Sequence, residues 1–371
     1  NRDRALGCLV GGAVGDALGY AVEFEQWPYI RNTYGDKGIT RYQLAGNGKA
    51  LISDDTQMTL FTAAGILLGM TRGHMRGIMG RIDTYCHWTY LDWLHTQEWD
   101  LRKPNERSDS WLMDVPELYA RRAPGNTCLS ALKSLENNKE PQNNSCGCGG
   151  VMRTAPLAIL DYLHGYADAE YEYCDMVAAE AARITHKHPL GFLPSAVLND
   201  ILMQIFDGEI DRGTSLSDIV HNAIKRLPSI KSETDKDRTY GELWPDEVAT
   251  LRRLLKYAME LTVRDIPDHV AIEKIGGGWT GHEALAIAIY SAVKHSNNFE
   301  NAIVSSVNHS GDSDSTGAIC GNIMGALLGR NAIPEYYTKD LELLDIIEEM
   351  AEDLFTGCII SEYMERDTPE T

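Results

Sequence analysis

Gly7-Cys8-Leu9-Val10-Gly11-Gly12-Ala13-Val14-Gly15-Asp16-Ala17-Leu18-Gly19 is the stretch on which the fold turns. Glycine returns at 7, 11, 15 and 19, every four residues, on one slowly drifting face of a helix. Such a face costs helix propensity and lets another backbone come very close. The same spacing recurs near the other end of the chain: Gly317, Gly321, Gly325, Leu328 and Gly329 mirror Gly7, Gly11, Gly15, Leu18 and Gly19. Two packings satisfy this echo. The two helices are independent small-residue elements, or they meet in the core. In the second case the start of the later helix lies near one end of the first. Asp312 and Asp314 then fall in a crowded central site.

Residues 5–22 are also long and apolar enough to raise the question of a membrane span, but the glycines and Asp16 weaken it. No charged n-region with a cleavage site precedes them, so no signal peptide is expected. The chain starts at Asn1, which leaves room for residues upstream. Its 371 residues, 43% hydrophobic and 24% charged, describe an ordinary globular composition. The net charge of -20 argues against nucleic-acid and anionic-membrane partners and suits cations or a basic partner surface. Eight scattered cysteines in apolar or Gly-rich settings point to reduced thiols and a cytoplasmic location. Cys146-Gly147-Cys148 is half of a zinc motif without a second half, so zinc is not expected.

Helical periodicity runs almost throughout, and period-2 alternation is scarce. Helices are expected at 74–95, 127–136, 153–164, 167–185, 191–207, 215–227, 246–262, 281–294 and 339–356, with another from Thr316 to about Leu328. The reading is an all-α single domain over 1–371, with peripheral insertions near 97–126 and 228–245. The second of these is polar and expected to be exposed.

Two acidic clusters carry the chemistry. Asp312 and Asp314 lie in His309-Ser310-Gly311-Asp312-Ser313-Asp314-Ser315-Thr316-Gly317, and Asp54 and Asp55 lie in Ser53-Asp54-Asp55-Thr56. Each is followed by hydroxyls. Taken alone, each reads as a cap complementing a helix dipole, with Ser53 or Asp54 as the cap of the first. Taken together, four converging carboxylates are very costly in a partly buried site unless divalent cations neutralise them. An oxygen-only donor set favours Mg²⁺, Mn²⁺ or Ca²⁺ over zinc.

With Glu23, Gly147-Cys148-Gly149-Gly150-Val151-Met152-Arg153, Thr185-His186 and Trp279-Thr280-Gly281-His282-Glu283-Ala284-Leu285 added in that order, the chain resembles the ADP-ribosylglycohydrolase family. The resemblance implies an all-α orthogonal helical bundle with a central dinuclear metal cleft holding two Mg²⁺ (or Mn²⁺). It implies metal ligands at Ser53, Asp54, Asp55, Asp312, Asp314 and Ser315. Glu23, Gly147, Cys148, Gly149, Gly150, Val151, Met152 and His186 correspond to the substrate side, the glycine loop bordering the diphosphate of ADP-ribose. Arg153 is expected to pair with a structural carboxylate.

The implied reaction is hydrolysis of a glycosidic bond at the anomeric carbon of ADP-ribose on a modified protein, with arginine the favoured acceptor. Asp55 or Glu23 is the candidate proton acceptor. A different class of function also suits the acidic surface: an immunity protein that binds and occludes an ADP-ribosyltransferase toxin, with or without hydrolysis.

Overall fold

The structure is a computed structural model. It describes residues 1–78, 80–98, 110–163, 171–233 and 235–357, without the side chains of 161–163 and 171–173. Among these residues the chain forms seventeen α-helices: α1 (Arg2–Tyr20), α2 (Trp27–Tyr34), α3 (Asp54–Arg76), α4 (Ile82–Glu98), α5 (Asn126–Glu136), α6 (Ala155–Leu163), α7 (Tyr171–Arg183), α8 (Pro189–Phe206), α9 (Leu216–Arg226), α10 (Tyr240–Leu243), α11 (Pro245–Thr262), α12 (Asp268–Ile275), α13 (Gly281–Lys294), α14 (Phe299–Val307), α15 (Ser313–Leu328), α16 (Glu335–Thr338) and α17 (Leu344–Thr356). No sheet forms among the described residues. Isolated bridges join Ala50 to Leu341, Gly147 to Thr280 and Lys231 to Thr239. The expected all-α class is what the chain adopts.

α1 and α15 lie side by side and antiparallel at the centre. Gly7 faces Gly325, Gly11 faces Gly321, Gly15 faces Gly317, and Gly19 faces Ser313. A methyl group added at Gly15, Gly321 or Gly325 would fall well inside contact with the carbonyl oxygen opposite it. Both helices are buried along nearly their whole length. α13, α14 and α17 pack around the pair, and α3 joins it through its own N-terminal end. The packing of the two glycine helices in the core, rather than their independence, is the arrangement found.

α8 is long and apolar enough to cross a membrane by length and composition, and 89% of it is buried inside the protein. It is a core helix, packed against α7 and α6.

Four expectations need correction. The helical run 74–95 is broken: α3 ends at Arg76 with Gly77 in the left-handed conformation (φ 71°), and α4 begins at Ile82. α15 starts at Ser313 rather than Thr316, because Asp312 caps it, so Asp314 and Ser315 belong to its first turn. The last long helix starts at Leu344, after Leu343 takes a left-handed conformation (φ 57°). The segment 228–245 is only partly exposed. Ile230 and Tyr240 are buried and joined by a Tyr240 N–H to Ile230 O bond, and α10 falls within it. Within the expected insertion at 97–126, residues 99–109 lie outside the described set, as do 167–170 of the helix expected at 167–185.

Gly321→Ala is expected to lower stability by about 1–3 kcal/mol through forced separation of two backbones. Gly46→Ala, at a position with open space around it, should stay within about 0.5 kcal/mol of the parent. Urea midpoints of the two variants check this, and equal midpoints would contradict the close-packed pairing.

Candidate functional site

The antiparallel pairing sets Gly19, at the end of α1, against Ser313, at the start of α15. One turn back on α1, Asp16 is fully buried and grips the start of α3. Its two oxygens each accept from Ser53 N–H at 3.0 Å, and Oδ2 also accepts from Thr56 N–H at 3.1 Å and from the Thr56 hydroxyl. The first turns of α3 and α15 thereby reach the same end of α1, one acidic cluster on each.

On α3, Ser53 is the cap and its Oγ accepts from Asp55 N–H at 3.2 Å. Asp54 Oδ2 accepts from Gly125 N–H at 3.2 Å, and Asp54 N–H donates to Arg122 O at 3.0 Å, which ties the 122–125 segment to the site. On α15, Asp312 Oδ1 accepts from Ser315 N–H at 3.2 Å, and Asp314 Oδ1 accepts from the same group at 2.9 Å. Asp312 N–H donates to Gly277 O at 2.8 Å. Asp54, Asp55, Asp312 and Asp314 are all at most 5% exposed. Carboxylates at helix starts gain from the dipole, yet here that gain must offset burial.

The electrostatics show how closely the clusters converge. Burial and then the charge of Asp314 push Asp54 and Asp55 well above the carboxylate range. Burial and then Asp312 do the same to Asp314. Glu23 is raised to about 10 by burial, then by Asp314, Asp312 and Asp54. Asp16 is raised to about 7 by burial and Asp314, against the lowering effect of its bonds from Thr56 and Ser53. Asp55 Oδ2 and Glu23 Oε2 are buried with no hydrogen-bond partner. Among the described residues, no three His, Cys, Asp or Glu side chains already stand in a metal-holding arrangement. The carboxylates share one field without sharing one coordination point.

The glycine loop forms the opposite wall. Residues 148–153 wind into a 3₁₀ turn rather than an open loop. Gly147 bridges to Thr280, Cys148 N–H donates to Trp279 O at 3.2 Å, and Gly281 N–H donates to Cys146 O at 2.8 Å. The Cys148 thiol donates to Asp312 Oδ2 at 2.8 Å, and Met152 Sδ lies 3.9 Å from Ser315 Oγ. Cys148 and Met152 therefore reach the acidic cluster of α15, while Gly147 is tied to Thr280 and Ser145. Gly150 and Val151 are buried, Gly150 against Gly191 O.

His186 sits behind the loop. Its ring lies where side chains at Gly147 and Gly149 would go, and burial with nearby Arg153 lowers it to about 3, so it is neutral. Arg153 departs from expectation. It is fully buried and donates to Gly149 O (2.8 Å), Thr185 Oγ1 (2.7 Å) and Ala181 O (3.3 Å), with the Tyr90 ring 4.4 Å away, rather than to a carboxylate. It pins the loop to α7.

Two participants escaped the sequence reading. Asp16 was noted only as a polar interruption of an apolar helix. Phe24, next to Glu23, holds a left-handed conformation (φ 68°), is 63% exposed and stacks on Trp279 at 5.4 Å between centroids. Only the adjacency to Glu23 hinted at a role for it.

Comparison with known proteins fits this geometry. The sequence profile described as ADP-ribosylglycohydrolase matches residues 1–362. ADP-ribosylhydrolase ARH1 of Dictyostelium discoideum is 24% identical, over 95% of this chain and 94% of its own length. ADP-ribosyl-[dinitrogen reductase] glycohydrolase of Rhodospirillum rubrum is 25% identical, over 92% of this chain and 91% of its own. A solved structure of an ADP-ribosylglycohydrolase-related protein complex shares the fold, with a TM-score of 0.63 and 22% identity, covering 96% of this chain and 98% of that one. The chain belongs to the ADP-ribosylglycohydrolase family.

Proposed function

We propose that this protein is a Mg²⁺-dependent hydrolase that removes ADP-ribose from modified arginine side chains of proteins. The observation that carries the reading is the buried convergence of two acidic helix starts, with Asp314 in the field of Asp54, Asp55 and Glu23. No cation of the protein figures among the groups acting most strongly on Asp54, Asp55 and Asp314. Membership of the family and the names of its full-length relatives support ADP-ribosyl hydrolysis.

The residues fit a pair of divalent ions. The donors are all oxygen, and two buried carboxylate oxygens, on Asp55 and Glu23, lack partners. Ser53, Asp54 and Asp55 would hold the pair from α3, and Asp312, Asp314 and Ser315 from α15, with Mn²⁺ a chemically close substitute. When bound, such ions supply positive charge that orients the ribose hydroxyls and raises the acidity of nearby water.

The chain's own groups do the rest. The backbone of Gly147 to Gly149, the part of the loop left partly exposed, receives the diphosphate, and Arg153 and His186 hold that loop from behind. Cys148 and Met152 close the space beside Asp312 and Ser315. Water adds to the anomeric carbon, and its proton passes to Asp55 or Glu23, which would be ionised once divalent charge offsets the burial and mutual repulsion that raise them. As the bond to the arginine nitrogen breaks, that carboxyl group hands the proton on to the departing guanidine, and ADP-ribose is released with the carboxylate restored. Arginine is preferred because a cleft of carboxylates favours a cationic leaving group. Phe24 and Trp279 form an aromatic rim beside Glu23.

Three measurements test this. ADP-ribosyl-arginine and ADP-ribosyl-serine peptides offered with Mg²⁺ should show release from arginine and none after chelation; release unaffected by chelator sinks the reading. Asp312→Ala should lower turnover by at least about 10³-fold and abolish the Mn²⁺ isotherm in calorimetry. Asp16→Ala removes no proposed ligand but frees Ser53 and Thr56, and should cost about 1–3 kcal/mol of stability while weakening Mn²⁺ binding.

A fourth follows from the raised carboxyl groups. Their folded pKa values lie above the unfolded ones, so the folded state binds more protons and its stability falls as pH rises. The window runs from the ordinary carboxylate range up through about 7 for Asp16 and on toward Glu23 at about 10. Metal-free protein should therefore melt at a higher temperature at pH 6 than at pH 8, and Mg²⁺ should narrow the gap. A melting point independent of pH and Mg²⁺ would contradict it.

A further inference from the structure

The turn that sets Gly277 and Gly278 against Gly311 and Asp312 continues into His282 and Glu283. Those two side chains line a second space, a cavity of about 740 Å³ whose other wall is α11. Its volume lies in the range of small-molecule sites.

The cavity runs against the chain's overall charge. Acidic residues outnumber basic ones by 54 to 34, yet Arg252, Arg253 and Lys256 all border this one space, about one turn of α11. Among the described residues none of the three forms an ion pair; Arg253 donates only to Thr250 Oγ1, at 3.4 Å. Glu260 and Glu283 border the same space. The Glu283 carboxyl lies along Gly276, where a side chain at 276 would displace it.

Two nitrogens in this wall, Arg252 Nε and His282 Nδ1, are buried with no partner. A buried polar atom left unsatisfied is costly, so native structures seldom keep one without a use. Ala249, Leu254, Tyr257 and Ile275 give the space an apolar and aromatic part, beside the Thr250 hydroxyl. Arg252 and His282 bring unpartnered nitrogens to the partly buried side of the space, and Arg253 and Lys256 stand at its exposed rim. Polar groups converging beside apolar ones are the make-up of a small-molecule site. Guanidinium groups in particular match a phosphoryl dianion.

We infer that this cavity binds a small phosphorylated ligand, its phosphoryl group held by Arg252, Arg253 and Lys256 and its remainder against Tyr257 and Leu254. The inference does not rest on the hydrolase reading. A nucleoside monophosphate and free phosphate share the chemistry. The site is separate from the acidic cleft and joined to it through the 276–283 turn.

Calorimetry on the full chain tests it, with GMP and inorganic phosphate as probes, in the presence of excess ADP-ribose to fill the cleft. Saturable one-site binding is expected. In Arg253→Ser/Lys256→Ser, two exposed positions, it should weaken by about tenfold or more, with an unchanged melting temperature. Tighter binding of GMP than of phosphate supports contact with the aromatic wall, and equal binding supports recognition of the phosphoryl group alone. Three results overturn the proposal: no saturable binding of either probe, equal affinity in the double variant, or competition between GMP and ADP-ribose. Binding of a Glu-rich peptide with neither probe bound would overturn it in favour of a protein-docking surface.

Discussion

The approach of α1 to α15 across bare glycines is the contact on which everything else depends. Helices normally stand 8–10 Å apart because side chains hold them there. Here carbonyl oxygens occupy the space where side chains would be. This closeness puts the end of α1 against the start of α15, and Asp16 then draws α3 to the same place. Two helix starts that are far apart in sequence are thereby brought to the same end of α1.

The convergence of the acidic helix starts comes at the expense of stability. Helix dipoles and backbone N–H groups help each carboxylate, but burial and mutual repulsion outweigh them, as the raised Asp54, Asp55 and Asp314 show. Such local conflict among buried carboxylates is the pattern of a functional site rather than of a contact kept for folding. The surrounding shell is correspondingly firm. Arg153 and His186 brace the glycine loop from behind, and Cys148 ties it to Asp312.

The fold class and the two acidic clusters were legible because both rest on local pattern. A four-residue glycine repeat survives in any context, and paired carboxylates followed by hydroxyls are rare enough to notice. Helices of eight or nine residues, such as α2, α12 and α14, were missed because two turns give too little periodicity. The break after α3 was hidden because apolar and aromatic residues continue across Gly77. Asp16 was undervalued because its partners, Ser53 and Thr56, are remote in sequence. The Phe24–Trp279 stack was illegible for the same reason. Arg153 departs from expectation because a buried guanidinium suggests a carboxylate, whereas its terminal nitrogens meet carbonyls, a hydroxyl and an aromatic face here.

The glycine pairing also sets an order of assembly. Gly7 and Gly325 touch although almost the entire chain separates them. At ribosomal speeds of roughly 5–20 residues per second, α1 waits on the order of tens of seconds for its partner. Closing so long a loop is slow, and the helix that must wait has a bare glycine face. α3 through α14 can pack locally before then. The acidic convergence is therefore completed late in folding, when the far end of the chain returns to α1, and a truncated chain lacking α15 would have one acidic cluster and an uncovered central helix.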